Sequence, residues 1–210
     1  MLLAAGLLVS IPAALAAQRV LVLGDSLSDA YGMPREAGWV HLLDQRLGPD
    51  VEVIDGAISG DTSAGALARL DPLLADARPD AMIIILGGND GLRGLDPSML
   101  ERTLDQIISR TLERGVACAL MQIRLPPNLG PRYVEAFEAV YPRLASAHRI
   151  ALLDFFLEPL IGQPGMLMDD GIHPTAAAQP LLAEAMVEPV RMLLDRARDD
   201  GSDHAQLEGL

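Results

Sequence analysis

The residues of this sequence best suited to chemistry sit in short polar segments, and their types point to acyl transfer. Ser26 lies in Gly24-Asp25-Ser26-Leu27-Ser28, and Asp169-Asp170-Gly171-Ile172-His173-Pro174 holds Asp170 and His173. A serine hydroxyl is a weak nucleophile until a neighbouring base takes its proton. His173 can be that base. Asp170, three residues earlier, can stand beside the imidazole, select its tautomer and stabilise the imidazolium that forms. The oxyanion needs donors, and three are available: the N–H of Ser26, the N–H of Gly60 in Ser59-Gly60-Asp61-Thr62, and the side-chain amide of Asn89 in Gly87-Gly88-Asn89-Asp90. One such donor lowers an acyl-transfer barrier by roughly 3 kcal/mol. G-x-S and D-x-x-H are each common alone; their order along the chain and their placement make the combination specific. Asp25 and Asp61 are read as structural carboxylates that bond loop N–H groups. His41, His148 and His204 fall in a helix, near a helix end and in the C-terminal tail, away from these segments.

Rival chemistries fare worse. A metal centre wants several His, Asp or Glu at ligand spacing, and only one His stands near Asp170, so no metal and no cofactor are expected. Neither G-x-G-x-x-G nor a P-loop follows the first strand. Position 28 is Ser, so the G-x-S-x-G elbow of the ordinary α/β-hydrolases is absent. The sequence contains no Lys, which removes Schiff bases and Ser-Lys dyads. Its net charge is −13, with no cluster of cations, so a nucleic-acid partner is not expected. The acidic balance reads as a solubility device. The one cysteine, Cys118, lies in an apolar run and is read as a buried hydrophobe.

Positioning these residues requires a framework, and the hydropathy pattern supplies one. Short β-like runs alternate with helical patterns: strands over Arg19–Gly24, Val51–Asp55, Ala81–Gly87, Val116–Ile123 and Ile150–Asp154, and helices over Trp39–Leu47, Ser63–Ala75, Pro97–Arg114, Tyr133–His148 and Thr175–Leu194. The continuous apolarity of AMIIILG is that of a strand covered on both faces. Repeated β-α units build a parallel sheet with helices on both sides. Periodicity leaves the strand order open, although five strands suggest a flavodoxin-like one. Ligands of such sheets bind beyond the carboxyl ends of the strands, where the polar segments fall. Arg124-Leu125-Pro126-Pro127-Asn128, after the fourth strand, joins them there.

The chain has 210 residues, half of them apolar, enough for one domain with tails. Residues 1–17 are apolar and end in Ala14-Leu15-Ala16-Ala17, which reads as a cleavable signal peptide and implies a periplasmic or secreted protein. No Cys follows it to take a lipid, so no stable membrane anchor is expected. The domain spans 18–195, and the segment from Arg196 has no apolar period and is expected to be disordered.

GDSLS around Ser26, Gly60, GGND around Asn89 and DGIHP around His173 resemble the four blocks of the SGNH, or GDSL, hydrolases. The resemblance runs from about Val20 to Leu194, and ISGDTSAG, LGGNDGLRG and IRLPPNLGPRY are most similar to the bacterial periplasmic thioesterase I, lysophospholipase L1 and arylesterase group. It implies a flavodoxin-like three-layer α/β/α sandwich with a five-stranded parallel sheet. It also implies metal-free hydrolysis of aryl esters, acyl thioesters and lysophospholipids, which are small-molecule substrates; a monomer is expected. Ser26, Asp170 and His173 then inherit the triad, and Ser26, Gly60 and Asn89 the oxyanion hole. Leu92, Leu125 and Pro126 inherit contact with the acyl chain, and Met166 and Leu167 are further candidates. The alternatives are a carbohydrate O-deacetylase built on the same blocks, or a non-catalytic periplasmic binding protein.

Overall fold

The computed structural model of the protein describes residues 16–207. The expected signal segment therefore lies outside the described residues, apart from Ala16 and Ala17. Five strands, β1 (Gln18–Gly24), β2 (Val51–Asp55), β3 (Ala81–Ile85), β4 (Ala117–Met121) and β5 (Ala151–Leu153), form one sheet in the order β2-β1-β3-β4-β5. Every pairing is parallel. This is the doubly wound flavodoxin-like order. Helices α1 (Trp39–Leu47) and α7 (Gln179–Leu207) cover one face; α2 (Ser63–Ala77), α4 (Pro97–Leu112) and α6 (Val140–His148) cover the other. The short α3 (Gly88–Leu92) and α5 (Pro131–Glu138) lie in the connections beyond the strands.

The central strands show why two-sided cover demands unbroken apolarity. Val20–Leu23 of β1 and Ala81–Ile85 of β3 are completely buried, facing helices on both sides. The edge strands are only half-buried, and Glu52 of β2 and Leu152 of β5 reach solvent. Trp39 holds the first connection to the core: its backbone N–H donates to Gln179 Oε1 (2.9 Å), and its indole N–H donates to Leu27 O (2.9 Å).

Three expectations need correction. The helix expected over Tyr133–His148 is two helices, α5 and α6, separated at Ala139. The cause is Pro142, which has no N–H for the carbonyl of Glu138. That carbonyl accepts instead from Gln122 Nε2 (3.2 Å). The last helix begins at Gln179 rather than Thr175, because Leu167 pairs with Pro174 in an antiparallel bridge and Thr175 N–H donates to Met166 O. That helix also continues to Leu207, where a disordered tail was expected. Lack of an apolar stripe removes packing, but extending an established helix adds one hydrogen bond per residue and needs no new nucleus. Among the described residues, no helix is long and apolar enough to cross a membrane.

Candidate active site

The polar segments converge at the carboxyl ends of the strands. Ser26 follows β1 in a tight turn in which Ser28 N–H and Asp29 N–H both donate to Asp25 O (3.0 and 3.1 Å). The chain does not pass from β1 straight into a helix; the next regular α-helix is α1. Gly24 must be glycine, because a Cβ there would lie 2.8 Å from Ser28 Oγ.

Ser26 Oγ lies 2.8 Å from His173 Nε2, and His173 Nδ1 lies 2.7 Å from Asp170 Oδ2. The other Asp170 oxygen accepts the backbone N–H groups of Ile172 (2.9 Å) and His173 (3.0 Å), closing a turn that presents the carboxylate to the ring. Desolvation pushes Asp170 up; the hydrogen bonds from the His173 ring and from these two N–H groups outweigh it and hold the carboxyl at about 2.

Asn89 stands at the start of α3, just past Gly87, whose φ of 115° caps the helix. A Cβ on Gly87 would lie 2.2 Å from the Tyr141 hydroxyl, which donates to Leu86 O (3.0 Å), so both backbone conformation and space require glycine. Asp90 ties α3 to α2 by accepting Ser63 N–H (2.9 Å) and Ser63 Oγ–H (2.6 Å). It is thus a structural strut. One N–H of the Asn89 amide donates to Asp25 Oδ2 (3.2 Å), which leaves the second free for another acceptor.

Gly60 has φ 78°, and nothing lies within 4 Å of where its Cβ would be. Its positive φ therefore favours glycine there. Its segment is pinned from several sides: Ser59 N–H donates to Asp29 Oδ2 (2.9 Å), and Arg93 Nη2 donates to Gly60 O (2.9 Å). Arg69 donates to Asp61 Oδ2 (2.8 Å) and to Gly56 O (2.7 Å), so Asp61 serves a guanidinium and not the loop N–H groups expected.

A cleft of about 290 Å³ opens beside Ser26 and His173. Asn89, Leu92, Leu125 and Pro126 line it, as does Leu167, whereas Gly60 and Met166 do not. Phe155, Leu157 and Ile161 complete the apolar wall. These three were missed by sequence reasoning. The available signal was the apolar run FFLEPLI directly after β5, where a rim residue belongs. Tyr31 was also missed; its ring stacks on that of His173. His41 bonds Gln45 and His148 bonds Asp105, both away from the cleft. Burial pushes the Cys118 thiol up to about 12, in keeping with an inert core residue.

Asp25, next to Ser26, is 2% exposed. Burial pushes its carboxyl up to about 6, against the hydrogen bonds from Leu27 N–H and Asn89. An unfolded Asp titrates near 4, so between about pH 4 and 6 the native chain holds the extra proton. Stability should therefore fall as pH rises through that window, on the order of 3 kcal/mol from this group. Asp25→Asn removes the contribution. Urea unfolding at pH 4.5 and 7.5 should show the variant gaining on the parent by about 1–3 kcal/mol at the higher pH; a pH-independent difference would refute it.

Residues 22–180 match the GDSL-like Lipase/Acylhydrolase family. The chain is 49% identical over 182 residues to "Esterase TesA" of Pseudomonas aeruginosa, covering 85% of this chain and 90% of that one. It is 45% identical over 182 residues to "Thioesterase 1/protease 1/lysophospholipase L1" of Escherichia coli K12, covering 87% and 88%. Among solved structures it resembles the psychrotrophic esterase EstA from Pseudoalteromonas sp., in a form inhibited by monoethylphosphonate. That match has a TM-score of 0.82 and 36% identity, with 85% and 99% coverage.

Proposed function

Because the chain belongs to the GDSL-like lipase/acylhydrolase family and is a carboxylic ester hydrolase of the esterase/thioesterase kind, we propose that Ser26, His173 and Asp170 carry its acyl transfer. The observation that supports this most is the continuous line of contacts from Ser26 Oγ to His173 Nε2 (2.8 Å) and from His173 Nδ1 to Asp170 Oδ2 (2.7 Å). His173 Nε2 takes the Ser26 proton as Oγ attacks the acyl carbonyl. The tetrahedral oxyanion receives the N–H groups of Ser26 and Gly60 and the free N–H of Asn89. Collapse breaks the bond to the leaving oxygen or sulfur, which His173 protonates. Water, deprotonated by His173, then attacks the acyl-enzyme and releases the acid and Ser26. Asp170 stays ionised throughout and balances the imidazolium.

The substrates we assign are aryl esters, acyl thioesters and lysophospholipids, with the acyl chain along the wall of Leu92, Leu125, Pro126 and Ile161. An acetyl group on a sugar would leave most of that wall bare and would find few polar anchors for the carbohydrate, which disfavours an O-deacetylase. Few polar anchors also make for broad specificity, since one methylene discriminates by only about 1–3 kcal/mol. The apolar N-terminal segment is in keeping with export to the periplasm or beyond.

The test has two parts. A fluorophosphonate should label Ser26, read by peptide mass. A C8–C12 acyl thioester or aryl ester should exceed acetyl-xylan in kcat/KM by roughly tenfold or more. Label on another residue would overturn the nucleophile, and preference for acetyl-xylan would overturn the substrate class.

A further inference from the structure

The turn after Ser26 has an unusual backbone on both sides of Tyr31. Ala30 has φ 48° and Gly32 has φ 73°. Alanine enters the left-handed region only at a cost in conformational energy, and such costs persist where the surroundings enforce them. Gly38 leaves room for this conformation, because a Cβ there would lie 2.7 Å from Ala30 Cβ. The two left-handed residues turn the Tyr31 ring back over the site. It stacks on His173 with ring centroids 4.0 Å apart and planes 22° from parallel.

Core burial does not explain this placement, since Tyr31 is 45% exposed. Nor does its hydroxyl, which meets no hydrogen-bond partner among the described residues. What the ring contributes is contact with the imidazole face. The bonds from His173 to Asp170 and Ser26 lie at two edges of the imidazole and fix its position within its own plane. They resist tilting out of that plane much less. A stacked ring supplies the missing constraint, along the normal.

We infer that Tyr31 is a positioning residue that holds the His173 ring flat between Ser26 and Asp170 and favours its cationic form during acyl transfer. This rests on reading His173 as the base. The π face of an aromatic ring is negative and attracts a cation lying over it. His173 becomes cationic each time it takes the Ser26 proton, so the attraction is felt in the transition state more than in the resting enzyme. The charged groups facing His173 are Asp170 on its own loop and Asp25 beside Ser26. Both groups are the same in parent and variant, Asp25 with its carboxyl pushed up to about 6, so a difference between the two profiles reports the ring.

The experiment compares pH–rate profiles of the full-length parent, Tyr31→Leu, Tyr31→Phe and His173→Gln on a p-nitrophenyl ester. Without the ring the cation is less favoured, so the neutral base survives to lower pH. Tyr31→Leu should move the acid limb of kcat/KM down by about 0.5 pH unit and lower plateau kcat about fivefold, with KM within about twofold. Tyr31→Phe keeps the ring and should restore both. Superimposable profiles for Tyr31→Leu and the parent would overturn the inference, as would a Tyr31→Phe profile like that of Tyr31→Leu. If His173→Gln keeps its kcat, the base assignment falls and this role falls with it. Loss of activity there beside an unmoved Tyr31→Leu profile overturns the role of Tyr31 alone.

Discussion

Ser26→Ala is expected to lower kcat on a p-nitrophenyl ester by about 10⁶-fold while leaving the thermal melting curve in place. The size follows from the concerted use of the group. Without Oγ there is no acyl-enzyme, and His173 has no proton to take from a positioned hydroxyl. What survives is the contribution of the oxyanion donors and of binding, about 10³–10⁴ above the reaction in water. The stability should hold because Ser26 is only partly buried and its hydroxyl bonds nothing in the core. Circular dichroism melting run beside the assay separates lost chemistry from lost fold. A variant that keeps even a tenth of parental kcat would show that another group attacks the carbonyl.

Asp170→Asn comes next, at about 10⁴-fold in kcat. The argument is one of proton geometry. Asn can keep its carbonyl oxygen toward the N–H groups of Ile172 and His173, so the turn survives. Its NH₂ then faces His173 Nδ1, and two donors cannot share that contact. The ring responds by moving its proton to Nε2, where it can no longer accept from Ser26. The carboxyl at about 2 adds a second consequence: Asp170 itself should remain ionised across any ordinary assay range, so an acid limb belongs to another group. Asp169→Asn is the control. Asp169 is exposed and makes no such contact, so its loss should change kcat by less than about threefold. An equal loss in the two variants would refute the assignment.

The parts legible in the sequence were those governed by local pattern. β-α alternation marked every strand, and Ser26, Asp170 and His173 stood out because their polar segments interrupt apolar runs at the ends of those strands. Strand order was not legible from periodicity, since pairing is decided between residues far apart; the family resemblance implied it, and the sheet has that order. The break at Ala139 belongs to the same kind: Pro142 is visible, but the partner that satisfies Glu138 O is Gln122, on another segment. The positive φ of Gly60 was not legible, because it leaves no mark in composition. Tyr31 was invisible for the opposite reason. Its sequence neighbourhood is an ordinary turn, and its importance lies in a ring reached only after the chain has folded.

The contact between Ser26 and His173 joins residues separated by 147 positions. A pair so distant cannot form by local collapse, and the loop closure it needs is among the slower events of folding. On the proposed roles, the nucleophile is made early in synthesis and stays dormant until the far end of the domain arrives. On that reading hydrolytic competence marks a finished chain: truncated or partly assembled copies carry the serine without its base.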